Sequence, residues 1–304
     1  MKTLAELGED AVVEVLTRKL PSRADVRVGA GDDCAVIGGA RDAWWRLLKT
    51  DAVVEGVHFL PETEPERVGW KALARAISDI AAMGGVPEHA LVTLAARPGE
   101  SLERVQGIYA GLRKVARKFG VAIVGGETSR SPGPLFVNVA LAGRVERKRC
   151  VLRSGGRPND VLWVTGRLGG SLRGKHLDFI PRVAEARWLV EHGPVRAMMD
   201  LSDGLGADLP RLCRSSGCSV EFWAEKVPRN PGCTVAQALG DGEDFELLLA
   251  VAPGDGEAMR RGWRKRFPWL PLTPIGRLLR VQQPEMIDEL VSEQLKSHGY
   301  DHFA

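Results

Sequence analysis

The chain has 304 residues and 44% hydrophobic content, and its 42 Lys and Arg against 39 Asp and Glu leave a net charge of +3. This composition provides cores for about two domains and argues against nucleic-acid binding driven by bulk charge. No apolar run reaches the length of a membrane span, and the N-terminal residues lack the apolar stretch of a signal peptide, so we expect a cytoplasmic protein. The five cysteines contain no CxxC pair, which argues against a disulfide framework or a zinc site.

In the first half, apolar spacing predicts helices over residues 4–20, 68–83 and 102–119. It predicts strands over residues 35–37, 44–48, 91–95, 121–124 and 135–145. The first two strands form a predicted hairpin, and the strand over 121–124 is expected to be buried and to end at the glycines that follow it. A charged stretch, 144–149, reads as a solvated connector, so we expect domains over 1–147 and 148–304.

In the second half, the same reasoning predicts strands over 161–164, 220–222 and 245–251, an apolar run at 197–199, and helices over 185–191 and 208–215. Strands and helices alternate in both halves. The predicted fold class is therefore α/β or α+β, in two domains.

Acidic residues recur at the ends of apolar runs, in glycine-rich or polar turns. They are Asp32, Asp33, Asp51, Glu127, Asp200, Asp203, Glu243 and Asp244. Any one of them is typical of an ordinary turn. Their repetition favours carboxylates that converge on one sheet edge, and carboxylate oxygens without His or Cys partners suit Mg²⁺ better than Zn²⁺.

Three further features leave alternatives open. Asp79 lies at the edge of an apolar helical stripe, where it either faces a cation or pairs with Arg75 one turn earlier. His58 is either a structural histidine or a residue that contacts a ligand. The aromatic tail 299–303 is either a packing anchor or a lid on a planar ligand. Cys34, beside two acids, is expected to be structural.

Several familiar motifs are missing from the sequence. It has no Gly-x-x-x-x-Gly-Lys-Ser/Thr loop, which argues against a P-loop ATPase, and no Gly-x-Ser-x-Gly elbow. Gly29-Ala30-Gly31 lacks the rest of a dinucleotide fingerprint, and 200–204 does not fit a twelve-residue calcium loop.

A series of motifs, in family order and over nearly the whole chain, resembles the thiamine-monophosphate kinases. They are Gly31-Asp32-Asp33, Thr50 to Phe59, Ser78 to Gly84, Gly125 to Thr128, Asp200 to Leu205, Gly242 to Leu248 and Gly299 to Phe303. Glu55 to Phe59 and the closing tail are specific to these kinases. The acidic motifs are shared with aminoimidazole-ribonucleotide synthetase and selenophosphate synthetase.

The resemblance implies a two-domain aminoimidazole-ribonucleotide synthetase-like fold whose N-terminal domains form the core of a homodimer. It implies ATP-dependent phosphorylation of thiamine monophosphate to thiamine diphosphate, the last step of thiamine diphosphate synthesis. ATP is then the co-substrate, and several Mg²⁺ ions lie between the nucleotide and the substrate phosphate. We expect no nucleic-acid or membrane partner.

The resemblance also implies roles for individual residues. The family positions that hold Mg²⁺ are matched by Asp33, Thr50, Asp51, Asp79, Glu127, Asp200 and Asp203. Those that contact ATP are matched by Tyr109, Gly126, Glu127, Arg153 and Ser202. Those that contact thiamine monophosphate are matched by His58, Glu243 and Tyr300. No catalytic residue distinct from the metal ligands is expected, because the acceptor phosphate is already anionic and needs no strong base.

The sequence departs from the family pattern at a few places. Glu127 stands where the family usually has Asp, Asp241 replaces a common glycine, and the segments 168–196 and 282–296 look short compared with the family. Two alternatives therefore stay open: another ATP-using enzyme of the same superfamily, and a non-catalytic protein that binds thiamine phosphates.

Overall fold

The computed structural model describes residues 2–295 and 299–303 as two β-sheets flanked by helices. The first sheet has six strands in the order β1-β2-β3-β6-β4-β5, in which β4 and β5 are parallel and the other neighbours antiparallel. Its strands are β1 Val26–Val28, β2 Ala35–Ile37, β3 Trp44–Val54, β4 Val86–Ala96, β5 Ala122–Arg130 and β6 Phe136–Glu146.

The second sheet has five antiparallel strands in the order β8-β10-β7-β11-β9. They are β7 Val161–Thr165, β8 Val195–Asp200, β9 Cys218–Phe222, β10 Leu247–Val251 and β11 Leu272–Arg280. The inner strand β10, between β8 and β7, is buried along its whole length, as expected for a continuous apolar run covered on both faces.

The helices cover the sheets and connect the two halves. They are α1 Leu4–Leu7, α2 Glu9–Thr17, α3 Pro65–Ala82, α4 Leu102–Phe119, α5 Val183–His192, α6 Leu205–Ser216, α7 Val235–Gly240, α8 Gly256–Arg266 and α9 Ile287–Leu295. α4 begins at Ser101, whose side chain accepts a hydrogen bond from the Arg104 amide, and ends at Gly120 in a left-handed conformation. None of these described helices is long and apolar enough to cross a membrane.

Most predicted elements are confirmed, including the hairpin and the α/β class. The predicted helix over 4–20 is split at Gly8, which has a φ of 73°. The prediction for 121–124 was wrong: β5 runs on through the glycines to Arg130, and it is an exposed edge strand. A Cβ on Gly126 would lie 1.8 Å from the Val92 carbonyl oxygen, so glycine here permits close pairing with β4 instead of ending the strand.

α3 is buried between the two halves and packs closely on α4. A Cβ on Gly69 of α3 would lie 1.8 Å from the Ile108 carbonyl oxygen, and one on Gly111 of α4 would lie 1.9 Å from the Glu66 carbonyl oxygen. On its other side, Ala81 and Ala82 belong to an apolar cluster of the second half. α3 is therefore held from both sides along its length.

We predict that Gly111→Ala lowers the free energy of unfolding by roughly 1–3 kcal/mol or more, because the added methyl group overlaps backbone atoms of α3. Without the contact, alanine would stabilise the helix interior, so the sign of the change in the free energy of unfolding tests the packing directly. Gly99→Ala is the control, since a Cβ there has no neighbour within 4 Å. Urea unfolding should separate the two variants, and equal stabilities would contradict the close helix contact.

An ion pair connects the end of the first sheet to α5. Arg187 donates to both carboxylate oxygens of Glu146, from Nη1 at 2.6 Å and from Nη2 at 2.8 Å, and to the Gly84 carbonyl oxygen at 2.7 Å. These hydrogen bonds from Arg187 outweigh burial and hold the pKa of Glu146 at about 2. The ionised form of Glu146 therefore stabilises the folded chain.

We predict that Glu146→Gln lowers the free energy of unfolding by roughly 1–2 kcal/mol at pH 7. The difference from the wild type should shrink as pH falls from about 5 toward 2, because the unfolded carboxyl protonates near pH 4.3 and the folded one near 2. Urea unfolding across this pH range measures it, with exposed Glu62→Gln as control. A difference that does not change with pH would exclude the ion pair as its cause.

Candidate active site

Three buried carboxylates meet where the two halves face each other. Asp33 precedes β2, Asp79 lies near the C-terminal end of α3, and Asp200 is the last residue of β8. One oxygen from each lies within 4.8 Å of the others. We call these three residues the acidic cluster.

The acidic cluster is electrostatically unfavourable without a cation. Burial raises the pKa of Asp79 well above its usual range, and burial together with Asp33 raises the pKa of Asp200 to about 7. The buried Asp33 Oδ2 has no hydrogen-bond partner in the part of the chain that the structure describes. An all-oxygen set of this kind fits Mg²⁺, which prefers carboxylate ligands and would restore their ionised forms.

Two basic side chains lie against the acidic cluster. Lys49 Nζ is 2.8 Å from Asp79 Oδ1 and 3.7 Å from Asp51 Oδ1, while Arg153 Nη2 is 2.6 Å from Asp33 Oδ1. Burial would raise the pKa of Asp51, but Lys49 and Arg75 outweigh it and lower that pKa. Asp51 lies in the middle of β3, so its predicted place at a strand end was wrong.

The acidic cluster borders a large cavity of about 840 Å³, lined among others by Asp51, Asp79, Arg153, Ser202 and Asp203. A small cavity of about 140 Å³ adjoins it, lined among others by Leu172, Asp241, Glu243 and Tyr300. The two cavities share wall residues. These are Val57, His58, Arg75, Ser202, Asp203 and His302.

Glu243 is fixed in the wall of the small cavity by basic neighbours. Its Oε2 accepts from Lys71 Nζ at 2.6 Å and lies 2.7 Å from His176 Nδ1. The hydrogen bond with His176 and the charge of Lys71 outweigh burial and hold the pKa of Glu243 at about 2. Glu243 and Phe245 both have positive φ, 52° and 51°, and their amides donate to the Ser202 and Leu201 carbonyls.

His58 and the aromatic tail form the opposite wall of the small cavity. Burial and the nearby Arg75 lower the pKa of His58 to about 3, so its ring is neutral. Its Nδ1 accepts a hydrogen bond from the Val54 amide at 3.2 Å, so the proton of the neutral ring is on Nε2. The Tyr300 amide donates to the Asp203 carbonyl oxygen at 2.9 Å, and its half-exposed ring lines the cavity.

The structure therefore brings together most of the predicted site residues within one chain. These are Asp33, Asp51, Asp79, Asp200, Asp203, Arg153, Ser202, His58, Glu243 and Tyr300. The alternative in which Asp79 pairs with Arg75 was wrong, since Asp79 pairs with Lys49. Cys34 is buried, burial raises the pKa of its thiol well above the usual range, and its structural role fits that environment.

Four predicted residues lie elsewhere. The Thr50 side chain is on the opposite face of β3 from Asp51 and hydrogen-bonds Asn138. Gly126 and Glu127 are on β5, three strands away from β3, or roughly 14 Å at about 4.8 Å per strand. Tyr109 packs on the core of the first half from α4.

Sequence reasoning missed the basic side chains that surround the carboxylates, namely Lys49, Lys71 and His176, and gave Arg75 no role beyond a pair with Asp79. The sequence does contain a signal for Lys71 and Arg75. Residues 71, 75 and 79 recur at intervals of four, which places them on one face of a helix. Charged side chains on a face that is otherwise apolar indicate a buried polar site.

Comparison with known proteins places this geometry in a family. Residues 31–145 match the N-terminal domain, and residues 157–279 the C-terminal domain, of AIR synthase related proteins. A thiamine-monophosphate kinase of Rhodopirellula baltica is 38% identical over 285 residues, which cover 86% of each chain. One of Bacillus subtilis is 31% identical and covers 98% of this chain and 100% of its own.

The chain belongs to the thiamine-monophosphate kinase family. Among solved structures, AaThiL complexed with AMPPCP and TMP superposes with a TM-score of 0.79 at 29% identity, covering 99% of both chains. The hydrogenase maturation protein HypE of Escherichia coli, with a TM-score of 0.65 at 20% identity and 77% of this chain covered, shares the fold. The expected two-domain, aminoimidazole-ribonucleotide synthetase-like fold class is thereby confirmed.

We predict that Asp200→Asn weakens Mg²⁺ binding roughly tenfold or more, because it removes a charged oxygen from the acidic cluster. The melting temperature of the metal-free protein should hold or rise, since one repelling charge is gone. Asp178→Asn, at a surface pair with Arg67, is the control. Isothermal titration with Mg²⁺ and with Mn²⁺ measures the effect, and unchanged affinity would remove Asp200 from the metal site.

Proposed function

We propose that this protein phosphorylates thiamine monophosphate to thiamine diphosphate with ATP as the phosphoryl donor. The observation that carries the proposal is the pair of joined cavities, one acidic and one lined by Tyr300, His58 and Glu243, in a chain whose relatives are named thiamine-monophosphate kinases. A solved relative described with AMPPCP and TMP supports the same pair of substrates.

The chemistry suits a site without a general base. The acceptor is a phosphate oxygen that is already anionic near neutral pH, so the barrier lies in bringing two polyanions together in line. The neutral His58, with a pKa of about 3, is poorly placed to take up a proton at that pH. We therefore assign no catalytic role distinct from binding and orientation.

We propose that Asp33, Asp79 and Asp200, with Asp51 and Asp203 beside them, hold Mg²⁺. Held by these residues, Mg²⁺ would neutralise phosphate charge and fix the approach of the two phosphoryl groups. The carboxylates themselves repel a nucleotide, whereas Arg153 and Ser202 in the large cavity supply donors for its phosphates. The thiamine portion is assigned to the small cavity, against Tyr300.

We propose in addition that the protein is a homodimer. We also propose that each chain has two domains, over 1–147 and 148–304. The outer face of the first sheet exposes Leu48, Leu91 and Trp44, and the edge strand beside it exposes Val124. An apolar face of this kind is typical of an interface. We propose that Gly126 and Glu127, which lie three strands away from Asp51 in their own chain, serve the large cavity of the second copy. The cytoplasmic location stays a prediction of the sequence.

The decisive experiment measures thiamine diphosphate formation from thiamine monophosphate and ATP by purified protein, with and without Mg²⁺. Product that requires the metal supports the proposal. No product, with thiamine monophosphate still bound, would instead identify a non-catalytic binding protein, the alternative that Glu127 and the altered segments leave open. Neither product nor binding would point to a different small-molecule acceptor.

We predict that Tyr300→Ala raises the KM for thiamine monophosphate roughly tenfold and leaves the KM for ATP within about twofold, because the ring lines only the small cavity. Tyr300→Phe should keep most of the affinity. Trp269→Ala, an exposed aromatic of the second half, is the control. Equal losses for both substrates would contradict a position of Tyr300 against the thiamine portion.

A further inference from the structure

Arg75 is a largely buried cation to which no described residue gives a hydrogen bond partner. Its side chain is 13% exposed, and Nε and Nη1 are buried without a hydrogen-bond partner. The approach of Nη1 to Glu243 Oε1, at 3.8 Å, is too long for a hydrogen bond. Burial alone would lower the pKa of Arg75, but the charges of Asp51, Glu243, Asp79 and Asp203 outweigh it and raise that pKa, so the guanidinium is charged.

The neighbouring basic side chains each hold a carboxylate directly. Lys49 Nζ is 2.8 Å from Asp79, Lys71 Nζ is 2.6 Å from Glu243, Arg153 Nη2 is 2.6 Å from Asp33 and Arg211 Nη1 is 3.0 Å from Asp208. Glu243 is thus already occupied by Lys71 and His176. Arg75 differs from these four side chains because none of the described carboxylates lies within hydrogen-bond distance of it.

Unused donors on a buried guanidinium are costly, because the charge has left water and gained too few hydrogen bonds in return. A ligand that supplies an anion with several oxygens removes that cost. The planar guanidinium fork matches a phosphate group in particular, which it can bind through two parallel hydrogen bonds.

The position of Arg75 indicates which phosphate. It lines both the large and the small cavity, next to His58, Ser202 and Asp203. A substrate whose organic part lies in the small cavity must direct its phosphate through this junction toward the acidic cluster. Asp79, one helical turn further along α3, belongs to the acidic cluster toward which that path leads.

We propose that Arg75 binds the acceptor phosphate of the substrate and holds it at the junction of the two cavities. The inference rests on the proposed function and adds a phosphate-binding residue that no motif in the sequence indicated. Arg75 offsets the negative charge of the acceptor, complements the cations held by the carboxylates, and aligns the attacking oxygen. α3, packed on both sides, keeps the guanidinium in place.

The test compares thiamine monophosphate with thiamine, which has the same organic part and no phosphate. Arg75→Gln, Arg75→Lys and the control Arg113→Gln, an exposed arginine on α4, are titrated calorimetrically with each compound in the presence of Mg²⁺ and AMPPCP. We expect Arg75→Gln to weaken thiamine monophosphate binding roughly 10- to 100-fold and to change thiamine binding less than about threefold. Arg75→Lys should fall between, and Arg113→Gln should match the wild type.

Folding is checked by thermal melts of the same proteins. Without ligands, Arg75→Gln should melt near the wild-type temperature, because the lost attraction to Asp51 and Glu243 is offset by no longer burying a charge that lacks a hydrogen bond. Thiamine monophosphate should raise the melting temperature of the wild type and not that of Arg75→Gln. A large drop for the ligand-free variant would assign Arg75 a structural role and overturn the inference.

Other outcomes are equally distinct. Equal losses for thiamine and thiamine monophosphate, or a loss confined to AMPPCP, would overturn the assignment to the acceptor phosphate. A wild type that forms thiamine diphosphate, with an Arg75→Gln variant of unchanged KM for thiamine monophosphate, would overturn the inference and leave the proposed function intact. A wild type that binds thiamine monophosphate through Arg75 and forms no product would support the inference and contradict the proposed function.

Discussion

Repulsion among buried carboxylates is the constraint on which the rest of the site depends. Asp33, Asp79 and Asp200 come from three separate elements and lie within 4.8 Å of one another through one oxygen each. Folding brings them together only because Lys49, Arg153 and the Ser78 hydroxyl supply partial compensation. The remaining negative potential favours a divalent cation, and a phosphate group could approach the carboxylates only with such a cation between them.

α3 fixes the positions of several charged side chains of this site. One side is locked to α4 through glycines that permit backbone contact, and its C-terminal end packs into the apolar cluster of the second half. Residues 71, 75 and 79 lie on the same helical face, so Lys71, Arg75 and Asp79 are set along one line from the small cavity to the acidic cluster. A displacement of this helix would move the binding groups of both substrates at once.

The sequence predicted the parts of this structure that depend on local pattern. The helix over 102–119 has the predicted bounds, and the predicted convergence of carboxylates is confirmed for Asp33 and Asp200, which lie together with Asp79. It did not predict the length and exposure of β5, because the glycines at 125 and 126 resemble a strand end. It also missed Lys49, which enters the site only through the pairing of β3 with its neighbours. Long-range pairing decides such contacts.

The loop that carries Glu243 sets a limit on how this protein can change. Glu243 and Phe245 occupy left-handed backbone conformations that cost non-glycine residues roughly 1 kcal/mol each, yet neither can become glycine without loss. One would lose its carboxylate, and the other would lose a ring stacked 3.8 Å from that of Phe179. Keeping Glu243 and Phe245 retains the backbone strain, and replacing either with glycine removes a needed side chain. A more thermostable variant would therefore have to gain its stability from substitutions in other parts of the chain.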